Sequence, residues 1–311
     1  MKIFNKDQLN NLFKPSENSS NEQNGQVTII GGSKLFHGAP ILSLKVASRF
    51  NDMVFFASPE PSVGEIAEKI KSELMSFIWV PWEDIERYVE KSDAVLIGPG
   101  FMRYKSEKQP HFAKASRGKQ NLDKEGGKTR KITRTLLKKF PEKRWVIDAG
   151  SLQVMEAECI PEGAIITPNK KEFEMLFGHD KVLRSNSVEQ NSSQDDKADE
   201  NTVSALSNIK AMAEEYKCTI VLKGSETLVC SPNKCTVVKG GNAGLTKGGS
   251  GDILAGLTVS LYAKNDAHLS ACAASYIEKK AADELFEKVG TNYSADDLAV
   301  QIPLTIATLR K

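Results

Sequence analysis

Residues 241–256 read GNAGLTKGGSGDILAG and gather the positions of this chain best suited to chemistry. Gly248, Gly249 and Gly251 permit a tight backbone turn that side chains would obstruct. An apolar run at 253–263 follows directly and reads as a helix. The N–H groups of such a turn, with the positive end of a helix dipole, form a concavity for an anion, and phosphate is the natural occupant. Asp252 stands out in that setting. A carboxylate opposes a bound phosphate unless it has its own task. Beside a transferring phosphoryl group it can accept the proton of an attacking hydroxyl. The competing structural reading is a glycine-rich turn with Asp252 as a helix N-cap, and glycine richness alone does not separate the two. Two common nucleotide motifs do not fit. A P-loop needs Lys after its second glycine, and here Gly249 is followed by Ser250. A dinucleotide fingerprint starting at Gly249 and Gly251 would need glycine where Leu254 stands.

Elements able to hold such a turn are visible along the chain. Short apolar runs lie at 27–30, 53–57, 77–80, 94–97, 145–147, 164–166 and 219–222, each followed within two residues by Gly, Asp or Pro. Runs of this kind suit strands buried on both faces. Between several of them lie helical patterns. Positions 39, 42, 46 and 50 place apolar residues on one helix face, with Ile41 and Leu44 alongside. Residues 66–75 and 201–216 also read as helices, and 228–230 with 235–238 as an antiparallel hairpin across Ser231, Pro232 and Asn233. The alternation predicts an α/β fold with a mostly parallel central sheet and helices on both faces. Ligands of such sheets bind beyond the carboxyl ends of the strands, where the glycine and polar residues fall.

Composition narrows the classes. The chain has 311 residues, 40% hydrophobic and 26% charged, with a formal net charge of +2. That is material for one large α/β domain or two small ones, with no global bias toward nucleic acid or acidic membranes. The N-terminus lacks the apolar core of a signal peptide, and the run at 253–263 is far shorter than the ~20 residues that span a bilayer. A soluble, cytoplasmic protein is expected. Five cysteines, an odd number, argue against a secreted disulfide framework, and Cys230 with Cys235 has no second pair to complete a zinc site. The Lys/Arg-rich stretch 103–144 and the polar stretch 180–201 read as surface insertions or mobile loops, with flexibility expected near 103–130 and 180–202. Sparse aromatic residues make the basic stretch a solvated surface rather than an RNA site.

GNAGLTKGGSGDILAG resembles the signature of the ribokinase-like superfamily and, within it, the ADP/ATP-dependent NAD(P)H-hydrate dehydratases. Further segments agree in the same order: VTIIGGSKLFHGAP at 27–40, VLIGPG at 95–100, WVIDAGSL at 145–152, ITPNKKEFEMLFG at 166–178 and VLKGSETLV at 221–229. The resemblance spans about residues 25–265 and implies a stand-alone dehydratase domain over 1–311.

The resemblance implies repair of NADH or NADPH whose nicotinamide ring has been hydrated (S epimer). ADP or ATP phosphorylates the ring hydroxyl, phosphate is eliminated, and the double bond returns. By position, Asp252 would deprotonate that hydroxyl. Gly248, Gly249, Ser250 and Gly251, with Lys223, Gly224, Ser225, Glu226 and Thr227, would hold the nucleotide, and Mg²⁺ would bridge its phosphates. Ala39, Gly100, Asn169 and Asp252 would face the hydrated dinucleotide. Asp148 and Glu172 stay open between ligand contact and local structure, and no metal ligand is assigned. Asn169 stands where the family usually has His; it can exchange hydrogen bonds but carries no charge near neutral pH. Asn51 and Asp52 replace a small glycine-containing turn. Only about 25 residues precede Val27, so no epimerase domain is expected. A homo-oligomer, a tetramer in many relatives, is implied. Two other readings share the same residues: a ribokinase-like kinase of a vitamin precursor or small alcohol, and a nucleotide-binding sensor. Retention of Asp252 speaks against the sensor, which would gain by losing a negative charge beside phosphate.

Overall fold

The apolar runs pair as their composition suggests. In the computed structural model, which describes residues 2–103, 122–178 and 194–310 (194–204 by backbone alone), strands β1 (Gln26–Ile30), β2 (Met53–Ala57), β3 (Ile78–Trp79), β4 (Ala94–Ile97), β5 (Arg144–Ile147), β6 (Ile165–Ile166) and β7 (Thr219–Leu222) run parallel. The hairpin β8 (Thr227–Ser231) and β9 (Lys234–Val238) is added antiparallel beside β7. Among the described residues the sheet order is β3-β2-β1-β4-β5-β6-β7-β8-β9. The register sets Ile29 opposite Leu96 and Ile30 opposite Ile97.

Side chains alternate across the strands, so the central strands feed two cores. Val27, Ile29, Leu96, Val146, Ile165 and Val221 enter one; Ile30, Val95, Ile97, Trp145, Ile147 and Ile220 enter the other. Helices α1 (Gly38–Ala47) and α2 (Pro61–Ile70) bury Leu44, Val46, Val63 and Ala67 in the first core. On the opposite face, α3 (Ile85–Lys91), α4 (Lys124–Lys139), α5 (Ala149–Val154), α6 (Lys170–Phe177) and α7 (Gln194–Glu215) supply Val89, Leu136, Leu152, Phe173 and Ile209. The first core is completed by α8 (Ser250–Tyr262), α9 (Ala267–Val289) and α10 (Ala295–Leu309). Helix α8 is buried on every side from Ile253 to Tyr262, which is why that stretch reads as a continuous apolar run.

Three expectations change. Residues 124–130, read as part of a flexible insertion, are the first turns of α4. Asp123 caps this helix by accepting the Gly126 N–H, and Thr129, Thr133, Leu136 and Leu137 form its buried face. Two threonines on that face disguise an amphipathic helix inside a Lys/Arg-rich stretch. Residues 194–202 are likewise helical, in α7, whereas residues 104–121 and 179–193 lie outside the described residues. Third, Cys230 and Cys235, directly paired across the β8–β9 hairpin with Cα atoms 4.1 Å apart, form a disulfide. Their closeness comes from hairpin register, which spacing alone does not reveal.

The N-terminal segment lies along the outer edge of β9. Phe4 N–H donates to the Val237 carbonyl at 3.0 Å, and Val237 N–H donates to the Lys2 carbonyl at 2.9 Å. Among the described residues no helix is long and apolar enough to cross a membrane.

Candidate active site

The site is built where β4, β5 and β7 end. At Gly98, after β4, the backbone takes φ +121°, and an added Cβ would stand 1.9 Å from the Asp148 carbonyl oxygen. Only glycine permits that approach, and it packs the turn after β4 against the turn after β5. Asp148 is 1% exposed and occupies the N-cap position of α5 without capping it. Its carboxylate instead receives a hydrogen bond from Lys223 Nζ at 2.9 Å. Lys223 follows β7, and its Nζ is also 3.9 Å from Glu172 Oε2.

Glu172 reaches this point through a reciprocal cap at the start of α6. Asn169 Oδ1 accepts the Glu172 N–H at 3.0 Å, and Glu172 Oε2 accepts the Asn169 N–H at 2.9 Å. Gln153 Nε2 donates to Glu172 Oε1 at 2.7 Å, and Arg103 donates to Gln153 Oε1 at 2.8 Å. An isolated parallel bridge between Asn169 and Lys223 ties the two segments together.

The glycine-rich turn comes in from the other side. Gly249 is the N-cap of α8 with φ +100°, and a Cβ there would meet Leu42 Cδ1 at 2.5 Å and the Ala295 Cβ at 2.8 Å. Ser250 Oγ donates back to the carbonyls of Leu245 (2.6 Å) and Lys247 (3.0 Å). Lys247 Nζ donates to the carbonyls of Thr291 and Tyr293, anchoring the turn to the segment before α10. Gly248 faces open space, whereas a Cβ on Gly251 would lie 3.4 Å from Lys223 Nζ. The ammonium therefore sits against the first turn of α8.

Asp252 is the third residue of α8 and is not its cap. Its carbonyl accepts a hydrogen bond from Ser43 Oγ of α1 at 2.7 Å. Its carboxylate has no hydrogen-bond or ion-pair partner among the described residues. Burial raises its pKa to about 7; the negative charges of Asp148 and Glu172 add to the rise and Lys223 opposes it. Glu172 is raised as well, chiefly by burial. Burial alone would lower Lys223, but Asp148 and Glu172 outweigh it and hold the ammonium above its usual range. A carboxylate without a partner, poised near neutral pH beside a glycine turn at a helix N-terminus, can accept a proton next to a bound anion.

Residues 27–304 match the family model described as NAD(P)H-hydrate dehydratase. The chain belongs to the NAD(P)H-hydrate dehydratase family. It is 33% identical over 305 residues to the bifunctional NAD(P)H-hydrate repair enzyme Nnr of Methanocaldococcus jannaschii, covering 95% of this chain and 50% of that protein. It is 27% identical over 296 residues to the ADP-dependent (S)-NAD(P)H-hydrate dehydratase of Cenarchaeum symbiosum, covering 94% of this chain and 92% of that one. The chain thus spans about half the length of the bifunctional relatives it matches. Its fold is similar to that of the Bacillus subtilis ADP/ATP-dependent NAD(P)H-hydrate dehydratase co-crystallized with ATP/Mg²⁺, with a TM-score of 0.71, 18% identity, and coverage of 99% of this chain and 98% of that one. The expected ribokinase-like α/β fold is the fold observed.

In this dehydratase-family chain the predicted positions fall into two groups. Lys223, Gly248, Gly249, Ser250, Gly251 and Asp252 meet at the first turn of α8. Gly224 and Ser225 form an exposed turn, Glu226 pairs with Lys239 at 3.1 Å, and Thr227 is buried at the start of β8. Ala39 lies one helical turn before Ser43, the residue bonded to Asp252, so it shares that face of α1. Gly100 is buried against the Phe36 carbonyl, in the loop leading to α1. Asn169 is exposed, and its side-chain oxygen is engaged in capping α6.

Sequence reasoning missed Gln153, Lys247, Glu278 and Lys279. The Glu278–Lys279–Lys280 run looks like a solvated charge cluster, yet Glu278 is 6% exposed and Lys279 is 3% exposed. Burial raises Glu278 to about 8, with Lys279 and Lys223 opposing the shift. The available signal was the apolar stripe 274, 277, 281 and 285, which Glu278 adjoins on α9.

Proposed function

We propose that this protein restores hydrated NADH and NADPH (S epimer) by nucleotide-dependent dehydration, with Asp252 as the base. The reading rests above all on the unpartnered carboxylate of Asp252 beside the open Gly248 position and the Lys223 ammonium. Asp252 takes the proton of the ring hydroxyl; that oxygen forms a bond to the terminal phosphorus of ADP or ATP, and the bond to the departing nucleotide breaks. The ring C–O bond then breaks, phosphate leaves, and the adjacent ring carbon gives up a proton to water, which returns the ring double bond. The N–H groups of Gly248, Gly249, Ser250 and Gly251 stabilise charge on the transferring phosphoryl group. Lys223, Gly224, Ser225, Glu226 and Thr227 hold the nucleotide, while Ala39, Gly100 and Asn169 line the dinucleotide side.

Among the described residues no group of three or more His, Cys, Asp or Glu side chains is arranged to hold a metal. That donor set fits a Mg²⁺ carried chiefly by nucleotide phosphates and water, where it would neutralise phosphate charge. Residues 1–311 act as one dehydratase unit in the cytoplasm. Exposed apolar residues Phe286 and Val289 on α9, and Val300 and Leu304 on α10, support a homo-oligomer.

The test is to supply hydrated NADH with Mg²⁺ and either ADP or ATP, and to follow the absorbance of the reduced ring. Its recovery supports the reading. Failure to recover it, with phosphorylation of a small alcohol instead, would overturn the reading in favour of a kinase.

A further inference from the structure

Lys279 projects from the middle of α9 into a place where an ammonium ion is ordinarily costly. It is 3% exposed, and its Nζ donates to three backbone carbonyls: Ser225 at 2.7 Å, Gly240 at 3.0 Å and Gly224 at 3.3 Å. These oxygens belong to two loops, one after β7 and one after β9. Three carbonyls satisfy the three donors of the ammonium, so the charge is solvated by backbone dipoles. Asp283, Glu226 and Glu278 supply the surrounding negative charge.

The arrangement fixes what the opposite edges of those peptides do. In a trans peptide the N–H points away from the C=O, and the peptides here are trans. With the Gly224 and Ser225 carbonyls turned to Lys279, the N–H groups of Ser225 and Glu226 point away from it. The third peptide is accounted for: Gly241 N–H donates to Asp283 Oδ2 at 3.2 Å. The N–H groups of Ser225 and Glu226 have no hydrogen-bond partner among the described residues, and Ser225 is exposed. Two neighbouring donors are thus held outward on the loop that carries Lys223.

We propose that Lys279 is the positioning residue of the nucleotide site, holding the loop after β7 so that the N–H groups of Ser225 and Glu226 stand ready as donors to the bound nucleotide. This rests on the nucleotide-dependent reading given above. Lys279 touches no ligand; it acts through the backbone it gathers. Lys280 lies one residue on, is half-exposed and pairs with Asp283 at 4.0 Å, so charge in this run is not by itself what matters.

The test uses the full chain. Calorimetric titration with ADP and with ATP should show Lys279→Met weakening the nucleotide Kd about tenfold or more, equivalent to ~1.4 kcal/mol or more. In turnover the rise should fall on the nucleotide KM and exceed any rise in the KM of the hydrated dinucleotide. Lys279→Arg, which keeps a cation and donors, should recover part of the loss. A folded Lys279→Met protein with unchanged nucleotide affinity overturns the proposal, as does equal damage to both KM values. Where Lys279→Met does not fold, amide exchange in the unmutated protein decides. Ser225 and Glu226 amides should exchange rapidly when free and slowly with ADP bound, and absence of that protection overturns the proposal. Nucleotide binding without repair of hydrated NADH overturns only the proposed reaction, whereas no binding of either nucleotide by the unmutated protein overturns both.

Discussion

Lys223 Nζ lies 2.9 Å from Asp148 Oδ1, joining the ends of two parallel strands, β7 and β5, which are not neighbours in the sheet. Strand β6 lies between them, so the ion pair bridges over the end of β6. Asp148 has 2% side-chain exposure and Lys223 has 21%. The pair is therefore desolvated on the carboxylate side and partly wet on the other. The nearby carboxylates of Glu172 and Asp252 are both raised, so proton binding across the cluster is linked.

Replacing Lys223 tests that linkage. Lys223→Met leaves Asp148 buried without its cation, at an expected cost of about 2–4 kcal/mol, reduced from the fully buried case by the partial exposure of Lys223. Because Lys223 opposes the rise at Asp252, its loss should move the pH midpoint of kcat/KM above about 7. Denaturant titration and a pH–rate profile check the two effects separately.

With Asp252 as the proposed base, the pH dependence of turnover follows from its titration. A base must be ionised, so kcat/KM should rise with pH up to about 7 and level off above it. Asp252→Asn should abolish turnover while nucleotide binding persists. Its stability effect has the opposite sense from that of a salt-bridged acid. The native value lies above the unfolded value of about 3.9, so the native state binds the extra proton and stability falls as pH rises from about 4 to about 7. The Asn variant should gain stability relative to the unmutated protein across that window, read as a Tm difference larger at pH 8 than at pH 4.

His268 should pull the other way. It is 7% exposed, its Nε2 lies 3.0 Å from Thr236 Oγ1, and burial lowers its pKa to about 4. The unfolded chain takes up a proton near pH 6.5 and the native state only near 4, so stability from neutral His268 is lost as pH falls through that interval. His268→Gln should flatten the acid limb by roughly 3 kcal/mol. The windows of Asp252 and His268 overlap with opposite signs, so variants must be compared pairwise with the unmutated protein.

At the glycine turn, Gly249→Ala should cost about 1–3 kcal/mol, since φ +100° is strained for alanine and the new methyl meets Leu42 and Ala295. Nucleotide affinity should fall with stability, because relief of the clash distorts the first turn of α8. Unchanged affinity in a folded variant would remove this turn from the nucleotide site.

The strands and the glycine turn before α8 were legible in the sequence for a common reason. Continuous runs such as AVLI in β4 and the spacing of Gly248, Gly249 and Gly251 are local signals that tertiary context does not rewrite. Other features depended on distant partners. Glu278 and Lys279 are buried because loops from β7 and β9 fold over them, and nothing within EKK announces those loops. Helix α4 hid because Thr129 and Thr133 serve as buried residues. The capping of α6 by Asn169 was legible in the N-x-x-E spacing to Glu172, since Asn followed three residues later by Glu is a capping pattern.

The hydrogen bonds of Lys2 and Phe4 with Val237 carry a consequence for handling the protein. Strand β9 ends the sheet, and its outer row of amides would otherwise be a template for strands of neighbouring molecules. The first few residues act as a selvage along that border. Trimming residues 2–4 would unpick it, and the damage would surface as precipitation.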